Sequence, residues 1–293
     1  MQGLIIENIS NLYKVQVDNN IYDTTPRGKL KKDEMIPVVG DNVEISIIDE
    51  ENKKAVIEKI IDRKVYIKRP KLANLTQLVF VVSSKNPKPD LLLLDKQLAF
   101  AEYLGIKAVI VLNKTDLDEE KEFEIIQNTY TQIGYRVLQT EAKNKKGINE
   151  LKKILKNNIN AFSGNSGVGK STLINAIFDK DITEEGEISE KNKRGKNTTT
   201  AIKLYKIEDN TYIADTPGFS TFDISEIGSN NLDRYFKEFD ENINNCKFVG
   251  CTHIKEECCG VKQAVIEKNI DNGRYDRFCK IYNELKEGEN KKW

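Results

Sequence analysis

Eight residues, Gly164-Asn165-Ser166-Gly167-Val168-Gly169-Lys170-Ser171, constrain this chain more than anything else in it. They fit G-x-x-x-x-G-K-[ST] and lie between a strand-like run, INAFS, and a helix-like run, TLINAIF, the setting a phosphate-binding loop requires. Glycines let successive backbone N–H groups turn inward at a helix N-terminus, where the dipole also favours an anion. A nucleotide-binding run from Gly164 to Thr172 follows. Within it Lys170 is expected to reach the β and γ phosphates, and Ser171 to ligate the magnesium that bridges them.

The rest of the chain has three textures. From Leu4 to about Arg69, short alternating runs are separated by Asn-Asn, Pro-Arg-Gly and Gly-Asp punctuation, which predicts a small β-barrel. From Leu78, apolar strand-like runs (LVFVV, AVIVL, YRVLQ) alternate with helical stretches, so an α/β arrangement with a parallel sheet is expected. After about Ser225 the strands stop, and helical segments flank a cysteine cluster. At 293 residues with 39% hydrophobic content, the chain has enough material for two or three domains. The expected division is 1–69, 70–225 and 226–293. No run approaches the roughly 18 apolar residues of a membrane span, and MQGLIIENIS lacks the regions of a signal peptide, so a cytoplasmic protein without a membrane partner is expected. Charges balance at 46 against 46, and any RNA contact must come from a local patch.

Two further motifs say which nucleotide and which chemistry. Asn113-Lys114-Thr115-Asp116 sits just past AVIVL, at the carboxyl edge of a strand. The Asp116 carboxylate can accept from both the ring N–H and the exocyclic amine of guanine, a pattern adenine does not offer. GTP and GDP are the expected ligands. Glu141-Ala142-Lys143 is expected to supply a base-contacting loop, with Ala142 its central residue. Asp215-Thr216-Pro217-Gly218 closes the run TYIA; Asp215 is expected to hold magnesium through water, and the Gly218 N–H to sense the γ phosphate. Thr199, in the stretch RGKNTTT, is the expected first-switch threonine over magnesium. Most GTPases carry the phosphate loop first and the base-reading motif last. Here the order is reversed, which marks a circular permutation.

Four of the five cysteines crowd between Cys246 and Cys259, together with the only histidine, His253. Cys246, Cys251, His253 and one of Cys258 or Cys259 form an expected tetrahedral structural zinc site, and spacing leaves the fourth position open. Cys279 reads as a buried thiol. With its one histidine engaged, the chain is not a Ser-His-Asp or Cys-His hydrolase.

With these residues the chain resembles the ribosome-small-subunit-dependent GTPase A family over nearly its whole length. The likeness rests on Pro-Arg-Gly-Lys, Val-Gly-Asp, Arg69-Pro70, Ala73-Asn74, NKTD, GNSGVGKS, R-G-x-x-T-T-T, DTPGF, the cysteine cluster and Arg274-Tyr275. It implies an N-terminal OB-fold, a permuted P-loop GTPase domain and a mainly helical zinc-binding C-terminal domain. It also implies a GTPase acting in late maturation of the small (30S) ribosomal subunit, stimulated by that particle, and it favours Cys259 as the last ligand. Two departures stand out: Asn197 where the family commonly has histidine, and Glu257-Cys258 in place of the usual proline and its neighbour.

Phe219, directly after DTPG, occupies the place of the water-orienting glutamine of Ras-like enzymes, and phenylalanine has no group for that task. Asn197 can offer a hydrogen bond but is no base near neutral pH. Lys170, Thr199, Gly218 and Asn197 are thus the expected catalytic set, and intrinsic turnover is expected to be slow. Arg27, Lys29, Lys31 and Lys32 form a basic patch, expected in an OB-fold loop and suited to rRNA phosphates; the alternative is a solvated charged loop, which the resemblance disfavours. The expected partners are GTP or GDP and the small subunit with its rRNA, bound by a monomer. A second class fits the same motifs: a GTP-gated RNA-binding assembly factor in which hydrolysis is incidental.

Overall fold

The computed structural model describes residues 1–28, 36–119, 121–179, 202–215 and 224–291. Interleaved stretches of chain build two compact units: Met1–Leu78, Ile148–Phe162 and Ser171–Phe219 form one, and Val79–Gly147, Ser163–Lys170 and Ser220–Trp293 the other.

The first unit begins with β1 (Gln2–Ile9), β2 (Leu12–Val17), β3 (Asn20–Pro26), β4 (Asn42–Asp49) and β5 (Lys54–Ile60). Their hydrogen-bonded order is β1-β2-β3-β5-β4, and a β1–β4 pairing closes the circle into a five-stranded barrel. Side chains alternate across each strand, so Tyr13, Val15 and Val17 of β2 point inward while its remaining positions are half-buried or exposed. Ile5, Val43 and Ile57 complete the barrel core. A short hairpin follows, β6 (Tyr66–Lys68) paired with β7 (Lys71–Ala73).

Strands and helices then alternate: β8 (Gln77–Ser83), α1 (Leu91–Leu104), β9 (Lys107–Asn113), α2 (Glu122–Gln132), β10 (Arg136–Thr140), α3 (Ile148–Leu155), β11 (Ile159–Ser163) and α4 (Lys170–Phe178). β12 (Lys203–Glu208) and β13 (Thr211–Asp215) come next. In the second unit the order is β10-β9-β8, with β9 and β10 parallel. Every residue of β8 is buried, as expected of a strand covered on both faces. In the first unit β11 runs parallel to β13, with Ala161 opposite Ala214, and β12 returns antiparallel. The parallel α/β pattern read from the sequence is thus present.

Past residue 224 the described chain is helical: α5 (Asp240–Ile243), α6 (Gly260–Ile266) and the long α7 (Asn272–Asn290), with 3-10 turns before α5. The Asp90 carboxylate caps α1 at the Leu93 amide, and Asp271 caps α7 at the Arg274 amide. Inside the second unit α7 packs on α1 through a buried charge cluster. Arg274, fully buried, donates to Asp95 of α1 and to Glu238; Arg277 and the Tyr130 hydroxyl donate to Asp95 as well. The Arg274 guanidinium also lies 4.4 Å from the ring centroid of Phe236, which packs with Phe239 and Phe278 at 5.5 and 5.1 Å. Among the described residues no helix is long and apolar enough to cross a membrane.

Removing one partner of a buried ion pair leaves the other charge desolvated and uncompensated, at about 3–5 kcal/mol. Asp95→Asn, which keeps the shape and drops the charge, is expected to destabilise the protein by about 3 kcal/mol. Denaturant melts read this as a lower midpoint. A change below about 0.5 kcal/mol would place the cluster among energetically neutral ion pairs.

Candidate functional site

The phosphate loop leaves the buried end of β11 and enters α4. Gly164, Gly167 and Gly169 all have positive φ, at 140°, 82° and 100°. A Cβ on Gly164 would lie 2.3 Å from the Val81 carbonyl oxygen, and one on Gly169 would lie 2.3 Å from the side-chain amide nitrogen of Asn113. That close approach is what brings the base-reading motif onto the phosphate loop. Asn113, the last residue of β9 and buried, donates from Nδ2 to the Val168 carbonyl at 3.0 Å. Its Oδ1 accepts from the Thr140 hydroxyl at 3.0 Å and from the Ala142 amide at 3.3 Å.

Around this amide the second unit gathers Asn113, Lys114, Asp116, Ala142 and the loop from Gly164 to Lys170. Lys114, in the left-handed region at φ 66°, donates from Nζ to the Gly167 carbonyl at 2.7 Å and to the Asn86 carbonyl. Burial lowers its pKa, as does the neighbouring Lys143 charge. Asp116 is exposed in the 3-10 turn Thr115–Leu117, and Thr115 Oγ1 donates to Glu141 Oε1 at 3.1 Å. The Asn113–Asp116 segment is therefore fastened to the 141–143 loop at two points, Asn113 to the Ala142 amide and Thr115 to Glu141. Lys170 Nζ donates to the Gly164 and Asn165 carbonyls at 2.7 and 2.9 Å, and burial lowers its pKa. Asn165 and Val168 lie on either side of the exposed Ser166 and Gly167. Ser171 and Thr172 are exposed on the first turn of α4, and Asp215 ends β13; these three belong to the first unit.

Thr199, Asn197, Gly218 and Phe219 lie outside the described residues, as do Lys29, Lys31 and Lys32. Arg27 is described and exposed, its guanidinium bonded to Glu58.

Several contributors were not found from sequence. Asp90 Oδ2 accepts from Asn165 Nδ2 at 3.2 Å while its other oxygen caps α1. Buried Gln97 donates to Ser163 Oγ at 2.8 Å, one residue before the phosphate loop, and Ser84 Oγ donates to the Lys114 carbonyl at 3.3 Å. Only Asp90 had a local signal: an aspartate ahead of an apolar run reads as an N-cap.

A second cluster stands apart from the nucleotide motifs. Cys246, Cys251, His253 and Cys259 bring their ligand atoms within 4.8 Å of one another. His253 Nδ1 lies 3.3 Å from Cys259 Sγ and 3.6 Å from Cys246 Sγ, and the two sulfurs are 3.9 Å apart. A tetrahedron with bonds of about 2.3 Å has edges near 3.8 Å, and these four residues could hold a metal ion. Cys258 is exposed, and the geometry groups Cys259 with the rest. Cys279, expected buried, is half-buried.

The surroundings are built for sulfur and imidazole. The Gly260 amide donates to Cys246 Sγ at 3.3 Å and the Lys262 amide to Cys259 Sγ at 3.5 Å, both from the start of α6. A Cβ on Gly260 would sit 2.2 Å from the Asn242 carbonyl, so only glycine brings that amide so close. His253 turns Nε2 toward Asp233 at 3.5 Å, and Tyr275 donates to its carbonyl at 2.7 Å. Burial opposes ionisation of Glu256, yet bonds from the Thr252 and Ile254 amides and the Thr252 hydroxyl prevail and draw its pKa to about 2, clamping the ligand loop.

Comparisons with known proteins agree over the whole chain. The RsgA N-terminal domain model matches residues 2–57 and the RsgA GTPase model residues 60–225. The chain is 40% identical over 287 residues to the small ribosomal subunit biogenesis GTPase RsgA of Ruminiclostridium cellulolyticum, covering 97% of this chain and 94% of that one. It is 43% identical to the protein of the same name from Clostridium perfringens, covering 97% and 98%. Among solved structures, YjeQ from Thermotoga maritima superposes with a TM-score of 0.84 at 34% identity, covering 97% and 98%. YloQ, a circularly permuted GTPase, superposes with a TM-score of 0.83 at 28% identity, covering 98% and 95%.

Proposed function

Because this chain belongs to the RsgA GTPase family, we propose that its GTP hydrolysis is the switch that ends its stay on a maturing small ribosomal subunit. The observation that carries this reading is the Asn113 side chain, which lashes the guanine-reading turn, the 141–143 loop and the phosphate loop into one unit. Lys170 reaches the β and γ phosphates from a loop that already holds its ammonium on two carbonyls. Ser171 and Asp215, with Thr199, are the residues assigned to magnesium, which neutralises charge across the β and γ oxygens when it is bound with the nucleotide. Asn197 and the Gly218 amide complete the proposed catalytic set.

Cys246, Cys251, His253 and Cys259 are assigned to one structural zinc, supported by the approach of their four ligand atoms to within 4.8 Å of one another. The loop of Arg27, Lys29, Lys31 and Lys32 is assigned to rRNA phosphates. Functionally the chain divides at 1–69, 70–225 and 226–293 into RNA-binding, GTPase and zinc-binding parts. It works as a cytoplasmic monomer on GTP, GDP and the small subunit.

The expected intrinsic turnover is slow, since Phe219 cannot orient water, and the particle supplies or orders the missing contact. Multiple-turnover phosphate release should rise on the order of a thousandfold when purified small subunits are added. Unchanged turnover, or equal affinity of the subunits for the GDP form and for a non-hydrolysable GTP form, would leave a GTP-gated binding factor instead. Metal analysis of freshly purified protein should find about one zinc per chain, because metal binding supplies folding energy to such a segment. Cys259→Ser should lose it and Cys258→Ser retain it; the opposite pattern would move the fourth ligand to Cys258.

A further inference from the structure

The chain's charges balance as a whole, but not between residues 59 and 71. There Lys59, Arg63, Lys64, Lys68, Arg69 and Lys71 stand against the single carboxylate of Asp62. These residues lead into and form the β6–β7 hairpin of the first unit.

The register decides which way the charge points. Ile67 opposes Leu72, and both are buried; Tyr66 opposes Ala73, and Lys68 opposes Lys71. Because neighbouring positions of a strand alternate, Tyr66, Lys68 and Lys71 share the outward face. All three are exposed, as are Lys64 just before the hairpin and Arg69 at its turn. Like charges placed directly across a strand pair are destabilising. Lys68 stands opposite Lys71 and engages a further partner of its own, so the cationic face open to a ligand is that of Lys64, Arg69 and Lys71. Among the described residues the side chains of Lys64, Arg69 and Lys71 pair with no carboxylate.

The hairpin is also held in advance. Asn74 donates to the Gly40 carbonyl at 2.9 Å and accepts from the Lys64 amide at 2.9 Å, while the Ala73 amide donates to the Val39 carbonyl at 2.9 Å. Arg63 takes both oxygens of Asp41 at 2.6 and 2.7 Å and donates to the Ile36 carbonyl at 2.6 Å. Its guanidinium centre lies 4.9 Å from the Tyr66 ring centroid. Arg63 thereby holds an exposed aromatic ring and ties it to Asp41 and to the Ile36 carbonyl. Little ordering entropy would be spent on binding a ligand to such a surface. Exposed cations on a held backbone beside an exposed ring match single-stranded nucleic acid, whose phosphates take the charges and whose unstacked bases take the ring.

We propose that the β6–β7 hairpin is a second RNA-gripping element, with Lys64, Arg69 and Lys71 on backbone phosphates and Tyr66 against an unstacked base. These residues are distinct from Arg27, Lys29, Lys31 and Lys32, and their role rests on the reading that the chain binds small-subunit rRNA.

The test measures binding of the full chain to purified small subunits and to protein-free small-subunit rRNA between 50 and 200 mM salt, with circular dichroism to check folding. K64A/R69A/K71A is expected to lose at least tenfold in affinity for both probes, and its slope of log affinity against log salt should fall by about two or more. Arg69→Ala alone should lower the slope by about one, and the charge-preserving K64R/K71R should bind like the parent. Unchanged affinity and slope in the triple variant, with the parent binding both probes, would overturn the proposal and leave rRNA binding itself intact. Loss on intact subunits with full affinity for protein-free rRNA would overturn it too, giving the surface to a protein partner. Failure of the parent to bind either probe would sink the rRNA reading and this one with it.

Discussion

The side-chain amide of Asn113 is the interaction on which the site depends. It is buried at the end of β9, donates to the Val168 carbonyl and accepts from the Thr140 hydroxyl and the Ala142 amide. Three loops far apart in sequence are held by one group that has both a donor end and an acceptor end. A carboxylate could not donate to Val168, and an aliphatic residue could make none of the bonds. Gly169 yields the space the amide needs. Nothing in this arrangement depends on which loop comes first along the chain, so a permuted motif order leaves the site physically unchanged.

The same unit carries the consequence of that permutation. Helix α1 meets the phosphate loop at its N-cap, where Asp90 bonds Asn165, and one turn later its Asp95 is the shared acceptor for Arg274, Arg277 and Tyr130. Arg274 and Arg277 lie on α7, in the segment that follows the cysteine and histidine cluster. Residues 164–170 and the C-terminal helix thus share one neighbour. The aromatic cluster under His253, where Phe239 lies 5.8 Å from the imidazole, joins the ligand loop to the same core.

Much of this was legible in the sequence because it is local. The phosphate loop, the NKTD turn and the cysteine cluster are each short, and their chemistry fixes their residue types. The five-stranded barrel showed as alternation, and β8 as an unbroken apolar run. What sequence could not decide was long-range or directional. Cys258 and Cys259 are neighbours, and only the path of the chain turns one sulfur toward His253. Gln97, Ser84 and Thr140 are polar residues with no motif, and their partners lie dozens of positions away. Which of the basic residues between 59 and 71 face outward follows from the Ile67–Leu72 register.

The central claim is that one amide assembles a guanine-nucleotide site from three loops. Calorimetric titration of GDP and ADP into the parent protein and into Asn113→Ala tests it most directly. The account predicts that the parent binds GDP far more tightly than ADP, since Asp116 is left unpaired by adenine. It also predicts that Asn113→Ala weakens GDP binding by roughly tenfold to a hundredfold, the cost of freeing a buried carbonyl and hydroxyl together. Equal affinity of the parent for the two nucleotides, or undiminished GDP binding by Asn113→Ala, would contradict it.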